Sequence, residues 1–219
     1  MTDLGPNPGF FDLVGNVRAM RRLKPDPVPP ELLRRVLDAG VQAPSGMNTQ
    51  PWAFLVIREA DAKKWFADRY KAAIRSRFGD FEIPADDDSP MARQGRALRY
   101  QMDHMHEFPL LLVICGLRDW PFRVPQNERV GLAPPNYGAV YPCVQNILLA
   151  CRAVGLGAAL TTMHQVFEEE LHERFGIPEE YGVIVTMPIG YPLGNFGPVQ
   201  RKPAEDVTYF DSWGQRSRD

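Results

Sequence analysis

The sequence predicts an α+β fold, in which helices and buried strands share one hydrophobic core. Short unbroken apolar runs at residues 52–57, 109–116 and 181–189 predict buried strands. Stretches with apolar residues at three-to-four spacing, such as 30–41 and 61–78, predict amphipathic helices between them. The chain has 219 residues, 44% of them hydrophobic, and no recognisable linker. We therefore expect residues 1–219 to form a single domain.

The composition argues against several classes of partner. A net charge of −2 and a pI near 6.1 give no general reason to bind nucleic acid or an anionic membrane. Residues 1–11 do not read as a signal peptide, and no apolar run approaches membrane-spanning length. Cys115, Cys143 and Cys151 lie in apolar patterns without a C-x-x-C motif, which is typical of buried free thiols in a reducing cytosol. The expected location is cytoplasmic.

The first distinctive element in chain order is a basic segment, residues 18–23, which follows a short amphipathic start near Phe10. Its three guanidinium groups repel one another unless an anion or carboxylates lie between them, and the planar arginine fork suits a phosphate. A solvated basic turn is the alternative. The proline-dense stretch 24–30 cannot continue a helix and is predicted to hold the arginines at a fixed distance from the loop that follows.

A polar loop, residues 44–51, joins the helix predicted at 30–41 to the strand at 52–57. The helix must stop because Pro44 biases the residue before it away from helical dihedrals, and Gly46 is expected to supply permissive backbone. The loop concentrates small polar side chains between two prolines and an indole: Ser45, Asn48, Thr49 and Gln50. This pattern favours docking of something polar and flat, and turn chemistry alone is the alternative.

The middle of the chain carries a helix, a long acidic loop and a second helix. The helix at 61–78 is predicted to point Phe66, Tyr70 and Ile74 inward. Residues 79–90 have no periodicity, and loops of this length are often lids. The Asp86–Asp88 run raises a metal hypothesis, but such runs are more often solvated or cap a helix. In the helix predicted at 91–108, His104 and His106 point to different faces and cannot chelate one ion.

Residues 117–135 are irregular, with Trp120, Phe122 and Arg123 as candidates for a substrate pocket or a partner surface and plain loop packing as the alternative. The helix predicted at 136–154 is the most apolar, which suggests burial on more than one side. Pro142 should cap or bend its first turns. Such a helix is either central or shared with a second subunit.

The last part of the chain is predicted to hold a strand after Gly155, a short helix at 168–175 and the strand at 181–189. The glycines near 155 do not complete G-x-G-x-x-G, so a nicotinamide cofactor would have to visit a shared pocket. There is no G-x-S-x-G or H-E-x-x-H motif, and we find no catalytic acid, base, nucleophile or metal site in the sequence. Residues 193–219 keep spaced apolar residues, which predicts packing on the body or on a partner.

Three stretches together resemble the FMN-dependent nitroreductase family: A-P-S-G-M-N-T-Q-P-W at 43–52, R-A-M-R-R-L at 18–23 and Q-R-K-P at 200–203. Their order and spacing match from about Gly15 to Trp213. The resemblance implies a three-layer sandwich with a central mixed β-sheet flanked by helices. It also implies an obligate homodimer, with 193–219 as a C-terminal extension on the body or on the partner subunit.

The resemblance further implies an activity and a set of cofactor contacts. The family passes a hydride from NADPH or NADH through N5 of FMN to a nitroaromatic, quinone or related conjugated acceptor by a ping-pong mechanism. Arg18 and Arg201 align with phosphate contacts, and Arg21 or Arg22 with contacts near N1 and O2 of the ring. The candidate cofactor-binding residues are Arg18, Ala19, Met20, Arg21, Arg22, Pro44, Ser45, Gly46, Asn48, Thr161, Thr162 and Arg201.

Some details of the resemblance are open. Val17 and Ala19 replace an arginine and a serine that commonly contribute in the family, and Arg22 is a candidate to compensate. The P-S-G-x-N loop is expected from the second subunit, and Thr161 and Thr162 near the ring edge where N5 reacts. The same scaffold also carries reductive dehalogenation and oxygen-dependent breakdown of the flavin. A flavin-binding protein with little turnover, or an interaction domain whose arginines serve an acidic partner, are further alternatives.

Overall fold

The computed structural model describes residues 8–118 and 137–216, which contain six α-helices, four short 3-10 helices and four strands. The helices are α1 Phe10–Asn16, α2 Pro30–Gly40, α3 Ala60–Phe78, α4 Pro90–His104, α5 Tyr137–Ala153 and α6 Glu168–Phe175. The strands are β1 Trp52–Ile57, β2 Leu110–Leu117, β3 Gly157–Ala158 and β4 Tyr181–Gly190. None of the described helices is long and apolar enough to cross a membrane.

The strands form one sheet in the order β1-β2-β4-β3, and each described pair is antiparallel. In the register, Leu55 lies opposite Val113, and Val113 lies opposite Thr186. The family resemblance implies a mixed sheet, whereas all the described strand pairs are antiparallel. Sequence could not decide strand direction here, because β2 and β4 are buried on both faces and read as unbroken apolar runs, a pattern that is more typical of parallel sheets.

Helices cover both faces of the sheet, which confirms the predicted three-layer α+β sandwich. Alternate residues of β2 enter two separate hydrophobic clusters, as the two-residue period of a strand requires. Leu110, Leu112 and Ile114 join the cluster that contains α2 and α5. Leu111, Val113 and Cys115 join the cluster that contains α3 and the end of α4.

The two helices on one face, α2 and α5, touch through a glycine. A Cβ atom added at Gly40 would lie 2.7 Å from Cγ1 of Ile147, so only a bare backbone allows this approach. Pro142 lies inside α5 instead of capping it. The helix buries one side, including Val140 and Ile147, while Tyr141 is 46% exposed. The expected burial around α5 is therefore incomplete within a single chain.

The three cysteines are buried and free, as predicted. Burial raises the pKa of the Cys115 thiol to about 11. It raises the pKa values of Cys143 and Cys151 to about 12. These thiols stay protonated near neutral pH, which makes them packing residues and not nucleophiles.

The ends of the described chain expose large apolar side chains. Phe11 on α1 is 86% exposed, and Trp213 in the tail is 89% exposed. The ring centroids of Tyr209 and Trp213 lie 4.5 Å apart, and the Arg216 guanidinium lies 4.9 Å from the Tyr209 ring centroid. Within one chain the aromatic residues of the tail therefore contact each other, and their packing on a partner subunit stays a prediction.

Candidate functional site

The basic segment is bound to the open edge of the sheet by backbone hydrogen bonds. The Met20 N–H donates to the Ala158 carbonyl at 2.9 Å, and the Leu193 N–H donates to the Arg22 carbonyl at 2.9 Å. Leu23 pairs with Pro192 in an isolated bridge. Met20 and Leu23 are buried, at 7% and 1% exposure, and the side chains between and around them are left on the outer side.

Glycines let this segment lie directly on the sheet. A Cβ atom at Gly157 would come within 2.8 Å of the Met20 Cβ, and one at Gly190 would lie 2.8 Å from Pro109 Cγ and 3.5 Å from the Leu23 Cβ. The strand predicted after Gly155 is short, since β3 covers only Gly157–Ala158. Its pairing with β4 returns farther along the chain as the isolated bridge between Thr161 and Thr186.

A groove of about 470 Å³ opens beside the basic segment. One wall is formed by the segment and the tail: Arg18, Ala19, Met20, Arg21, Arg22 and Gly194. The opposite wall is formed by α4: Arg93, Arg96, Ala97 and Tyr100. The structure thus brings all five candidate residues of the basic segment to one cavity, together with two arginines that we had not predicted.

Five guanidinium groups face this groove with few counter-charges. Among the described residues, the guanidinium groups of Arg18, Arg21, Arg22 and Arg93 form no ion pair or hydrogen bond. Like charges gathered in this way repel one another, and forked N–H donors bind phosphate or carboxylate oxygens in pairs. Gly194 keeps the space open, since a Cβ there would lie 3.3 Å from Nη2 of Arg22. The donor set therefore fits a phosphate-bearing ligand such as FMN.

Behind Arg21 lies a buried phenol. Tyr70 on α3 is 1% exposed, and this burial raises the pKa of its hydroxyl. A hydrogen bond with the Thr161 side chain and the charge of Arg21 act in the opposite direction. Thr161 is itself fixed, because its N–H donates to the Thr186 carbonyl at 2.9 Å and its carbonyl accepts the Thr186 N–H at 3.0 Å. Thr161 and Thr162 do not line the groove.

His164 is the fully buried histidine two residues beyond Thr162. Its Nε2 lies 2.9 Å from the Val183 carbonyl, to which it donates as the neutral tautomer. Burial lowers the pKa of His164 below its ordinary value of 6.5, and the Val183 carbonyl and the Glu168 carboxylate offset only part of this. The imidazole is therefore neutral at pH 7.

We expect His164 to make the folded state less stable in acid. In the unfolded chain its imidazole takes up a proton as the pH falls through about 6.5, while the folded chain resists protonation. The unfolded state then binds more protons, so stability is full above this pH and falls below it, by up to about 1.4 kcal/mol per pH unit. Urea unfolding between pH 5 and 8 measures how the free energy of unfolding changes with pH, and this change should be smaller in His164→Gln. The same substitution at the exposed His106 is the control. An equal pH dependence in His164→Gln and in the unmodified protein would contradict the assignment.

The polar loop, residues 44–51, is held by hydrogen bonds within itself and has a strained backbone. The Ser45 Oγ accepts the Gln50 N–H at 3.0 Å, and Thr49 Oγ1 donates to the Gly46 carbonyl at 2.9 Å. The expectation that Gly46 provides the permissive backbone is wrong. The positive φ angles belong instead to Met47, Asn48 and Gln50, at 51°, 54° and 49°. The turn bonds from Asn48 N–H to the Ser45 carbonyl and from Thr49 N–H to the Gly46 carbonyl place the chain reversal after the glycine.

The groove of a single chain does not include the remaining candidates. Pro44, Ser45, Gly46, Asn48 and Arg201 do not line it. The Arg201 guanidinium is exposed and donates to the Gln200 carbonyl at 2.8 Å. The tail nevertheless returns toward the basic segment, because the Val199 N–H donates to the Gly15 carbonyl at 3.0 Å.

Sequence reasoning missed the α4 wall. Arg93, Arg96, Ala97 and Tyr100 are spaced at i, i+3, i+4 and i+7, which places them on one helical face. That spacing was visible, but an arginine-bearing face normally indicates contact with solvent. Trp120, Phe122 and Arg123, the other predicted pocket candidates, lie outside the described residues.

The acidic loop before α4 contacts the groove through one arginine. Nη1 of Arg96 donates to the Asp87 carbonyl at 2.7 Å, and Nη2 lies 3.3 Å from Oδ1 of Asp88. Ser89 caps α4 by accepting the Ala92 N–H at 3.1 Å, and its own N–H donates to Asp87 at 2.8 Å. The described residues contain no group of three or more His, Cys, Asp or Glu side chains placed to hold a metal. Here Asp87 fixes the capping residue Ser89, and Asp88 pairs with Arg96.

The fold and the groove define an α+β protein with an arginine-lined cavity at the edge of its sheet. Comparison with known proteins gives its family. A family model described as the Nitroreductase family matches residues 16–191. The chain therefore belongs to the nitroreductase family of oxidoreductases, and the match confirms the resemblance found in the sequence.

Relatives of known name cover most of the chain. An NADH dehydrogenase of Thermus thermophilus is 27% identical over 196 residues, which covers 87% of this chain and 90% of that protein. An iodotyrosine deiodinase of Thermotoga neapolitana is 28% identical over 194 residues, covering 84% and 88%. A crystal structure of oxidised iodotyrosine deiodinase bound to FMN and 3-iodo-L-tyrosine superposes with a TM-score of 0.68. It is 24% identical, covers 88% of this chain and 95% of that one, and supports the fold.

Proposed function

We propose that this protein is an FMN-dependent oxidoreductase that transfers reducing equivalents from NADPH or NADH to a nitroaromatic, a quinone or a related conjugated acceptor. The observation that carries the proposal is the groove in which five guanidinium groups meet with few counter-charges. A dianionic phosphate and a ring that gains negative charge on reduction both need such donors. The FMN-bound relative and the family membership support the same cofactor.

The proposed work of the protein is to bind and orient, because no acid, base or nucleophile of its own is assigned. Arg18 and Arg201 would hold the phosphate, and Arg21 or Arg22 would lie against N1 and O2 of the ring. Bound FMN supplies hydride acceptance and donation at N5. The buried side chains of Met20 and Leu23, before and after Arg21 and Arg22, would keep these arginines in place. A nicotinamide donor and the acceptor would use the same open side in turn, which gives ping-pong kinetics.

A second copy of the chain would complete the site. The loop with Ser45 and Asn48 is preorganised but does not line the groove of its own chain. Exposed apolar side chains on α1, α5 and the tail support an interface between two copies. Such a homodimer would cover Phe11, Tyr141 and Trp213 and bring the loop over the ring. We place this dimer in the cytoplasm.

The test is cofactor uptake followed by reduction. The purified protein should bind FMN, show flavin absorbance, and lose that absorbance when NADPH or NADH is added without oxygen. Turnover should then require an acceptor such as a nitroaromatic or a quinone. A protein that takes up no FMN under any of these conditions would refute the proposal, and tight FMN binding without NAD(P)H oxidation would point to a flavin-binding role with little turnover.

Reductive dehalogenation is the second candidate. The 28% identity to an iodotyrosine deiodinase over 84% of this chain favours it. The two reactions differ in product, since dehalogenation releases halide and nitro reduction yields a hydroxylamine or an amine. Incubation with 3-iodotyrosine and with a nitroaromatic, with each pyridine nucleotide and product analysis, separates them. Loss of the flavin itself under oxygen would identify the flavin-consuming alternative.

A further inference from the structure

The two walls of the groove carry separate sets of positive charge. The basic segment provides three guanidinium groups, at Arg18, Arg21 and Arg22. The proposed contacts with the phosphate and with the ring of FMN are assigned to these residues and to Arg201, and none is assigned to α4. The α4 wall adds Arg93 and Arg96 from a different part of the chain. The proposed cofactor therefore leaves the charge of the α4 wall unexplained.

Arg93 lies near the N-terminus of α4, and the first turn of that helix holds no acidic residue. The aspartates before the helix are already bound, Asp87 to the Ser89 N–H and Asp88 to Arg96. Within residues 8–118 and 137–216, the Arg93 guanidinium forms no ion pair or hydrogen bond. A cation in this position next to four other arginines raises the energy of the unliganded groove and favours an incoming anion.

Arg96 is already used. Its guanidinium binds the Asp87 carbonyl at 2.7 Å and the Asp88 carboxylate at 3.3 Å, so it anchors the acidic loop at the groove rim. Its side chain retains 37% exposure. Of the two α4 arginines that line the groove, this leaves Arg93 with its donors open.

Tyr100 provides a fixed aromatic surface on the same face. Its ring stacks on His104 at 4.2 Å and on Phe108 at 6.4 Å between centroids, and it still lines the groove. Ala97, one turn earlier, is small and leaves room in front of it. Seven helical residues rise about 10 Å, which is the separation of Arg93 and Tyr100 along α4. A small aromatic molecule is long enough to reach from one to the other.

We propose that Arg93 and Tyr100 select an aromatic acceptor that carries an anionic substituent, such as a carboxylate. The ring of the acceptor lies against Tyr100 and its anionic group is bound by Arg93. The inference rests on the proposed function, because it names the substrate class of the same site.

The experiment compares two acceptors that differ in one group. 4-Nitrobenzoate and 4-nitrobenzamide have the same ring and nitro group, but only the first is an anion. We expect the FMN-loaded protein to prefer 4-nitrobenzoate by kcat/KM. Arg93→Gln should lower this preference about 10-fold or more, mainly through KM, since a hydrogen bond to a charged group contributes on that scale. Arg93→Lys should restore part of it.

The matched control is Arg99→Gln on the same helix. The Arg99 guanidinium lies 4.9 Å from the Phe81 ring centroid, and its side chain does not line the groove. Removing it takes away the same charge from α4 without touching the inner face, so the preference should stay as in the unmodified protein. Equal losses of the 4-nitrobenzoate preference in Arg93→Gln and Arg99→Gln would overturn the proposal. They would show that the preference comes from the overall charge of α4 and not from contact with Arg93.

Calorimetric binding of the two acceptors without NAD(P)H gives a second readout. Arg93→Gln should weaken binding of 4-nitrobenzoate and leave the weaker binding of 4-nitrobenzamide little changed, while Tyr100→Leu should weaken both. An unchanged 4-nitrobenzoate affinity in Arg93→Gln, or an effect confined to NADPH relative to NADH, would overturn the proposal. Failure to bind FMN is seen before any acceptor is added, so it refutes the proposed function separately.

Discussion

Replacing Arg18 and Arg21 together by alanine is expected to weaken FMN binding by roughly 100- to 10,000-fold. Each side chain is proposed to form a charged hydrogen bond, and such bonds contribute about 1.5–3 kcal/mol. Both residues line the groove, and no carboxylate among the described residues competes for them. Titration of the apoprotein with FMN, followed by quenching of flavin fluorescence, measures the change in Kd.

The control for this pair is Arg34→Ala with Arg35→Ala on α2. Both side chains are exposed, and Arg34 retains 81% of its side-chain exposure despite a loose contact with Asp38 at 3.9 Å. The control removes the same total charge from a surface that does not line the groove, and its Kd should stay within about twofold of the unmodified protein. If both double variants bound FMN equally well, the groove would not be the phosphate site.

Leu23→Ala is expected to lower the free energy of unfolding by about 2–5 kcal/mol and to weaken FMN binding as well. Leu23 is 1% exposed and fills the space above the bare backbones of Gly157 and Gly190. Its loss would leave a cavity under the basic segment and loosen the arginines on either side. Urea unfolding measures the first effect, and FMN titration measures the second.

Leu193→Ala is the matched control, since it shortens a leucine in the strand-like partner of the same segment. Leu193 is 48% exposed, and its backbone bond to Arg22 does not depend on the side chain. Its substitution should change the unfolding free energy by less than about 0.5 kcal/mol. A Leu23→Ala variant as stable as this control would mean that the segment is not anchored by its apolar side chains.

Local chemistry allowed much of the fold to be predicted. The strand Trp52–Ile57 and the helix Glu168–Phe175 have their predicted bounds, and α2 begins at the predicted Pro30. In each case the signal lies within a few residues: an unbroken β-branched and aromatic run, or a proline at the first turn. The basic segment was likewise visible because its charges are neighbours in sequence.

The features that the sequence did not predict depend on contacts between residues that are distant along the chain. Arg93 and Tyr100 meet the basic segment only through tertiary folding, since they lie about 75 to 80 residues along the chain from Arg18. The short β3 reflects where pairing with the distant β4 stops and then resumes at Thr161, which no local pattern records. The placement of the Ser45 loop over a ring remains a prediction, because it involves a second copy of the chain.

The left-handed turn at Met47, Asn48 and Gln50 has a consequence for engineering. A glycine at any of these positions would relieve about 1 kcal/mol of backbone strain and make the isolated subunit more heat-resistant. The same glycine would also let the turn sample many shapes in solution. Under the proposed role of this turn over the FMN ring, an ordered shape would have to be regained at each binding event, so selection for thermal tolerance here would act against retention of the cofactor.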